Sequence, residues 1–192
     1  MLPQREFFLA SNSPRRRKLL EQLGIEFTVL EDPIEDLIDR AKPPAENVTT
    51  LSLKKAMSVT SQVKDGVIIA ADTIVVLDGD ILEKPKDASD AERMLGRLSG
   101  RVHEVYTGFT LLEMPSGRHR SYVERTAVKF RELGRSEIRE YVQSGSPLDK
   151  AGAYGIQDDF GAVFVERVEG CFYNVVGLPL SKLFISLKQF LR

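Results

Sequence analysis

The order of strand-like and helix-like segments predicts that this 192-residue chain folds as an α/β or α+β protein on a mixed sheet. Two observations carry the prediction. The run Val67-Ile68-Ile69-Ala70-Ala71 is apolar on both faces, as strands buried in parallel sheets are. Alternating stretches at Val102–Tyr106, Phe109–Leu112 and Tyr122–Phe130 then mark further strands, with helical patterns before and after them.

The elements follow in order. Phe7-Phe8-Leu9-Ala10 reads as a short buried strand, and Ser13-Pro14 starts a helix with Ser13 as cap and Pro14 at the first helical position. Leu19, Leu20 and Leu23 give that helix one apolar stripe, and Gly24 ends it. Phe27–Leu30 is a second strand, leading into the acidic segment Glu31-Asp32-Pro33-Ile34-Glu35-Asp36. Residues 45–62 form a helix with Val48, Leu51 and Val59 on one row. After the Val67–Ala71 strand, Ile74–Leu77 and Ile81-Leu82 make a hairpin around Asp78-Gly79. Asp87 or Ser89 caps a helix carrying Ala91, Leu95 and Leu98, stopped by Gly100. Pro115-Ser116-Gly117 turns the chain between two strands. A helix at Ser136–Gln143, a glycine-rich loop, a strand at Ala162–Glu166 and a helix from Pro179 complete the chain.

Composition narrows the function. With 27 Lys+Arg against 28 Asp+Glu the charges nearly cancel, so no global field draws the chain to nucleic acid or an anionic membrane. Any anion site must be a local cluster of cations. The apolar runs are far too short to span a bilayer, and the N-terminus lacks a signal-peptide pattern. Cys171 is the one cysteine, which leaves no intrachain disulfide and makes the cytoplasm the expected compartment.

Three constellations look like chemistry. Arg15, Arg16, Arg17 and Lys18 crowd the first turn of a helix, where the macrodipole disfavours cations by a few tenths to ~1 kcal/mol each. A solvated basic face accounts for part of this crowding. An anion held by backbone N–H groups, Ser13 and the guanidinium groups accounts for it better, and a phosphate chain is the natural ligand. Second, Asp72 ends an apolar strand, where a carboxylate needs a metal ion, a lysine or a water to activate; the alternative is an ordinary turn aspartate. Third, Lys55 shares the inward row of Leu51 and Val59, while Lys84 and Lys150 sit in Glu83-Lys84-Pro85 and Asp149-Lys150-Ala151-Gly152. A lysine on an apolar row can simply snorkel. Separate elements each aiming one cation inward suit a triphosphate, and small residues beside Lys150 let backbone approach a ligand. His103 and His119 are too isolated for a metal cage or a triad; His103 reads as structural. Phe172-Tyr173-Asn174 reads as sheet edge or core.

Together, Leu9-Ala10-Ser11-Asn12-Ser13-Pro14-Arg15-Arg16, Ala71-Asp72-Thr73, Glu83-Lys84-Pro85, Ser99-Gly100 through Thr107-Gly108, Asp149-Lys150-Ala151-Gly152-Ala153-Tyr154 and Val175-Val176-Gly177-Leu178-Pro179 resemble the Maf family of nucleotide pyrophosphatases, from about residue 7 to 185. The resemblance implies a single α/β domain over residues 1–192, with two lobes around a long, twisted mixed sheet and a central cleft. It also implies divalent-cation-dependent hydrolysis of a nucleoside triphosphate to monophosphate and pyrophosphate, with Mg2+ or Mn2+ as the cofactor. Asp72 matches the family's proton acceptor. Ser13, Arg15, Arg16, Lys55, Thr73, Lys84, Asp149, Lys150 and Gln157 fall at substrate-binding positions, and Glu35 or Asp36, with Asp72, at the acidic positions that hold metal or water. Arg15, Thr73 and Gln157 look like the branch that prefers dTTP and UTP, and a glutamine amide can bond both the carbonyl and the imide edge of those bases. Where the family commonly has glycine after that glutamine, this chain has Asp158. The other readings are the 7-methyl-GTP branch and a non-hydrolysing, nucleotide-binding regulator of septum formation. The family also implies a homodimer, with no nucleic acid or membrane partner.

Overall fold

The computed structural model describes residues 5–35, 37–157 and 159–192. Its elements, in chain order, are β1 (Phe7–Ala10), α1 (Pro14–Gln22), β2 (Thr28–Leu30), α2 (Pro44–Ser58), β3 (Gly66–Leu77), β4 (Asp80–Leu82), α3 (Ala88–Leu98), β5 (Val102–Met114), β6 (His119–Phe130), α4 (Arg135–Gln143), β7 (Val165–Glu169), α5 (Phe172–Val176) and α6 (Leu180–Phe190). The strands form one seven-stranded sheet in the order β2-β1-β3-β5-β6-β7, with β4 paired to β3 off that path. β1 pairs parallel with both β2 and β3, whereas β4 on β3 and β7 on β6 are antiparallel. The fold is therefore α/β on a mixed sheet.

The chain divides into two compact units: Met1–Asp72, Thr107–Glu124 and Gly177–Arg192 make the first, Thr73–Tyr106 and Arg125–Val176 the second. In the first, parallel pairing of β1 with β2 and β3 requires crossovers, which α1 and α2 provide. Ala10, Ile68 and Ala70 from the strands pack with Ala56, Val59, Val63 and Leu112, and Phe8, Leu30 and Met114 close over them. Gly108 of β5 lies so close to α2 that a Cβ there would stand 2.4 Å from the Val48 carbonyl oxygen. One turn on, the Ser52 hydroxyl bonds Thr110 at 2.8 Å, and Thr110 bonds Ser121 on β6 at 2.7 Å. A buried hydroxyl relay and a close backbone approach thus set the rotation of α2 about its axis, and with it the direction of Lys55, three residues beyond Ser52.

The second unit begins with the β3–β4 hairpin, Leu77 facing Asp80. Asp78 (φ 51°) and Gly79 (φ 82°) are both left-handed, the pairing a type I′ turn requires. Asp87 caps α3 by accepting from the Asp90 N–H at 2.8 Å, and Ala91, Leu95 and Leu98 are buried as expected. His103, Phe130, Tyr154 and Phe164 form an edge-to-face aromatic cluster, with Tyr141 against Phe164.

Four readings of the sequence need correction. Val67–Ala71 and Ile74–Leu77 are one 12-residue strand, so Asp72 sits inside β3 rather than at its end. Val102–Tyr106 and Phe109–Leu112 are likewise one 13-residue strand, because buried Thr107 and Gly108 continue it. Residues 159–164 are a 3-10 turn that buries Phe164, which delays β7 to Val165–Glu169. Phe172-Tyr173-Asn174 is helical, with Phe172 and Tyr173 exposed and only Asn174 buried.

Replacing Gly108 by alanine forces β5 away from α2. The urea midpoint should fall with a loss of ~1–3 kcal/mol, and an unchanged midpoint would refute the close approach.

Candidate active site

Local sequence shapes the start of α1. The Ser13 hydroxyl accepts from the Arg16 N–H at 3.4 Å, and the Ser11 hydroxyl accepts from the Ser13 N–H at 3.2 Å. No acidic residue occupies the first turn, so the helix N-terminus keeps its positive end, with half-buried Arg15 and Arg16 beside it. Arg17 and Lys18 are exposed; Arg17 pairs with Glu21 one turn on. Arg16 turns inward and donates from Nε to the Gly177 carbonyl at 2.9 Å, and from a terminal nitrogen to Ser11 at 3.4 Å. Part of its role is thus to tie α1 to the segment that begins α6.

The centre of the first unit is an ion pair. Lys55 Nζ donates to Asp72 Oδ1 at 2.7 Å. It also lies 3.5 Å from Oδ2 of Asp32, and the three side chains are 6%, 4% and 7% exposed respectively. Burial of this kind is what keeps Asp72 inside a strand: a carboxylate mid-ladder in an apolar run is tolerable only with a cation at hydrogen-bond distance. Asp32 is the residue that sequence reasoning missed. No local pattern marked it, because what fixes it is a contact twenty residues away: Asn12 Nδ2 donates to the Asp32 carbonyl at 2.9 Å and the Asp32 N–H donates to Asn12 Oδ1 at 3.1 Å.

The remaining acidic candidates lie nearby in sequence. Glu35 is exposed, and Asp36 lies outside the described residues, as does Asp158 after Gln157. Among the described residues there is no group of three or more His, Cys, Asp or Glu side chains arranged to hold a metal.

The second unit holds Thr73, Lys84, Asp149, Lys150 and Gln157. Thr73 is half-buried, while Lys84, Asp149 and Gln157 are exposed. The Gly152 N–H donates to the Glu83 carbonyl at 3.2 Å, which joins the segment of Lys84 to that of Lys150. Gly152 (φ 69°) packs where a Cβ would meet Val75 at 3.0 Å, so only glycine allows this approach. Lys150 is buried and folds back on its own turn, donating to the Ser146 carbonyl at 2.5 Å and to Asp149 at 2.8 Å. Tyr154 anchors the end of this loop through a 2.7 Å hydrogen bond with His103 Nε2, and Nδ1 of His103 is buried without a partner among the described residues. Desolvation lowers the His103 pKa to about 4, so the imidazole is neutral and structural, as the sequence predicts.

A model of the family described as Maf-like protein matches residues 6–190. The chain belongs to this family. It is 47% identical over 184 residues to a dTTP/UTP pyrophosphatase of Carboxydothermus hydrogenoformans, covering 96% of this chain and 98% of the relative. The dTTP/UTP pyrophosphatase of Salinibacter ruber is 49% identical, covering 94% and 88%, and that of Bacillus cytotoxicus 46% identical, covering 97% and 96%. Among solved structures, the Staphylococcus aureus Ham1 protein is similar at 12% identity and a TM-score of 0.45, over 65% of this chain and 71% of that one. Among the described residues, no helix is long and apolar enough to cross a membrane.

Two outcomes follow. Lys55→Met strands buried carboxylates and should cost ~3–5 kcal/mol, whereas Arg17→Ala removes an exposed i,i+4 pair and should cost ~0.3–0.5 kcal/mol; thermal melts compare them. His103 binds its proton near pH 6.5 when unfolded but only near 4 when folded, so its contribution is intact above pH 6.5 and is lost as pH falls towards 4. His103→Gln should flatten the stability–pH curve in that window by about 3 kcal/mol, as measured by urea unfolding at each pH.

Proposed function

We propose that the chain hydrolyses dTTP and UTP to the monophosphate and pyrophosphate by attack of water on the α-phosphorus. The observation that carries the chemistry is the buried Asp72 carboxylate, 2.7 Å from Lys55 in the unit that also holds the Ser13-capped, arginine-bearing start of α1. Relatives named dTTP/UTP pyrophosphatase, similar over nearly the whole chain, support the choice of substrate.

Asp72 takes the proton of the attacking water. At the positive end of α1, Ser13 and Arg15 bind phosphate oxygens, and Arg16 braces that turn. Lys55 offsets the negative charge that grows on the phosphoryl oxygens, the main service a protein renders to this class of reaction. From the second unit, we assign Lys84 and Lys150 to phosphate oxygens, with Asp149 orienting Lys150. Thr73 is assigned to the substrate beside Asp72, and Gln157 to the base edge, where its amide can both donate and accept.

A divalent cation fits this donor set. Carboxylate oxygens are the ligands Mg2+ and Mn2+ prefer, and Mg2+ in nucleotide sites is commonly held by one or two carboxylates plus substrate phosphates rather than by an all-protein cage. Asp72, with Glu35 and Asp36, would hold it; bound there, it would supply Lewis-acid polarisation of the phosphoryl oxygens.

The test is pyrophosphate release with magnesium across the common triphosphates, 5-modified pyrimidine triphosphates and 7-methyl-GTP. Release from dTTP and UTP is expected to dominate; preference for 7-methyl-GTP, or nucleotide binding without release, would overturn the proposal. Asp72→Asn should lower kcat ~10²–10⁴-fold with nucleotide binding retained, as read by parallel rate and binding titrations.

A further inference from the structure

Among the residues given no role above, Asp32 is held in an unusual way. This carboxylate belongs to a loop with no regular structure, yet its side chain is only 7% exposed and 3.5 Å from the Lys55 ammonium. Its other oxygen, Oδ1, accepts from the Ile34 N–H at 3.0 Å, closing a local turn. Its backbone is gripped on both sides by the Asn12 amide, with bonds of 2.9 and 3.1 Å. Just before the loop, the Ser11 N–H donates to the Leu30 carbonyl at 3.3 Å. A charged side chain has been fastened in place by four separate hydrogen bonds to or around its residue, and what it faces is the terminal nitrogen of a lysine.

Resting on the function proposed above, we infer that Asp32 is a positioning residue for that reaction: it holds Lys55 from a second side and so fixes where the ammonium points. The physical reason is geometric. Lysine carries a point charge on a four-carbon stem with three rotatable donors, so a single acceptor at 2.7 Å fixes its distance but not its direction. A second acceptor at 3.5 Å fixes the direction. An ammonium drawn towards buried carboxylates on two sides is aimed as well as bound. The Asn12 clasp makes this possible, because a loop carboxylate left to itself would turn to water. The same Ser11-Asn12-Ser13 segment that caps α1 thereby carries the loop that aims Lys55, linking the anion-binding turn to the Lys55–Asp72 pair within one unit.

Because the clasp uses the backbone of Asp32 and not its carboxylate, a side-chain substitution leaves it in place. Asp32→Asn keeps the shape and an oxygen for the Ile34 N–H, and removes only the charge facing Lys55. Steady-state pyrophosphate release from UTP with magnesium, run beside thermal melts, is the experiment. Asp32→Asn should lose at least tenfold in kcat with KM within about threefold of wild type and with a comparable melting temperature. Asp32→Glu, which restores the charge on a longer stem, should regain part of the loss. A kcat within twofold of wild type for Asp32→Asn overturns the inference while leaving the proposed function standing. So does a loss that tracks a fall in melting temperature and is equally deep in Asp32→Glu, since that pattern describes a merely structural residue. A wild-type chain that releases no pyrophosphate from dTTP or UTP overturns both.

Discussion

A carboxylate in the middle of an apolar strand costs several kcal/mol unless a cation meets it, and in this protein Lys55 meets Asp72 at 2.7 Å. That one requirement constrains much of the first unit. The lysine must come from α2, so α2 must lie across β3 and β5 at a fixed rotation. Gly108, with no side chain to hold the helix off, and the Ser52–Thr110–Ser121 hydroxyl relay provide that rotation. Small residues on the facing strands, Ala10 and Ala70, share the apolar cluster that seats the helix through Ala56 and Val59.

Around this pair, polar groups are used twice. Ser11 accepts from the Ser13 N–H and from Arg16, and its own N–H closes onto Leu30. Arg16, placed by its sequence in the first turn of α1, also braces the Gly177 carbonyl. Asn12 locks the loop carrying Asp32. Buried polar networks of this kind are stable only when each member is satisfied, which explains why so short a motif holds so many hydrogen-bonding side chains. In the second unit Lys150 is drawn back onto Ser146 and Asp149, and Tyr154 is held by a neutral His103.

How legible was all this in the chain itself? Local signals performed well wherever one residue decides one conformation. Ser13 before Pro14, Asp87 before α3, Asp78-Gly79 between β3 and β4, and Gly24 after α1 all act through their own backbone and cap chemistry, and all fall where they were expected. Lys55 on an inward helical row and Lys54 on the outward one follow from the 3.6-residue period alone. Local signals failed where the ladder outran the pattern: Asp72-Thr73 and Thr107-Gly108 look like strand breaks, yet long-range pairing carries β3 and β5 through them.

The sequence by itself determined the family, the α/β class, the Ser13-capped start of α1 and the inward direction of Lys55, because each depends on residue type and near-neighbour spacing. Only the tertiary structure decided which carboxylate, among the described residues of the acidic segment, is buried against Lys55. That choice falls on Asp32, and it rests on an amide twenty residues away closing over its backbone. No periodicity encodes such a contact, since it exists only once β1 and β2 lie side by side.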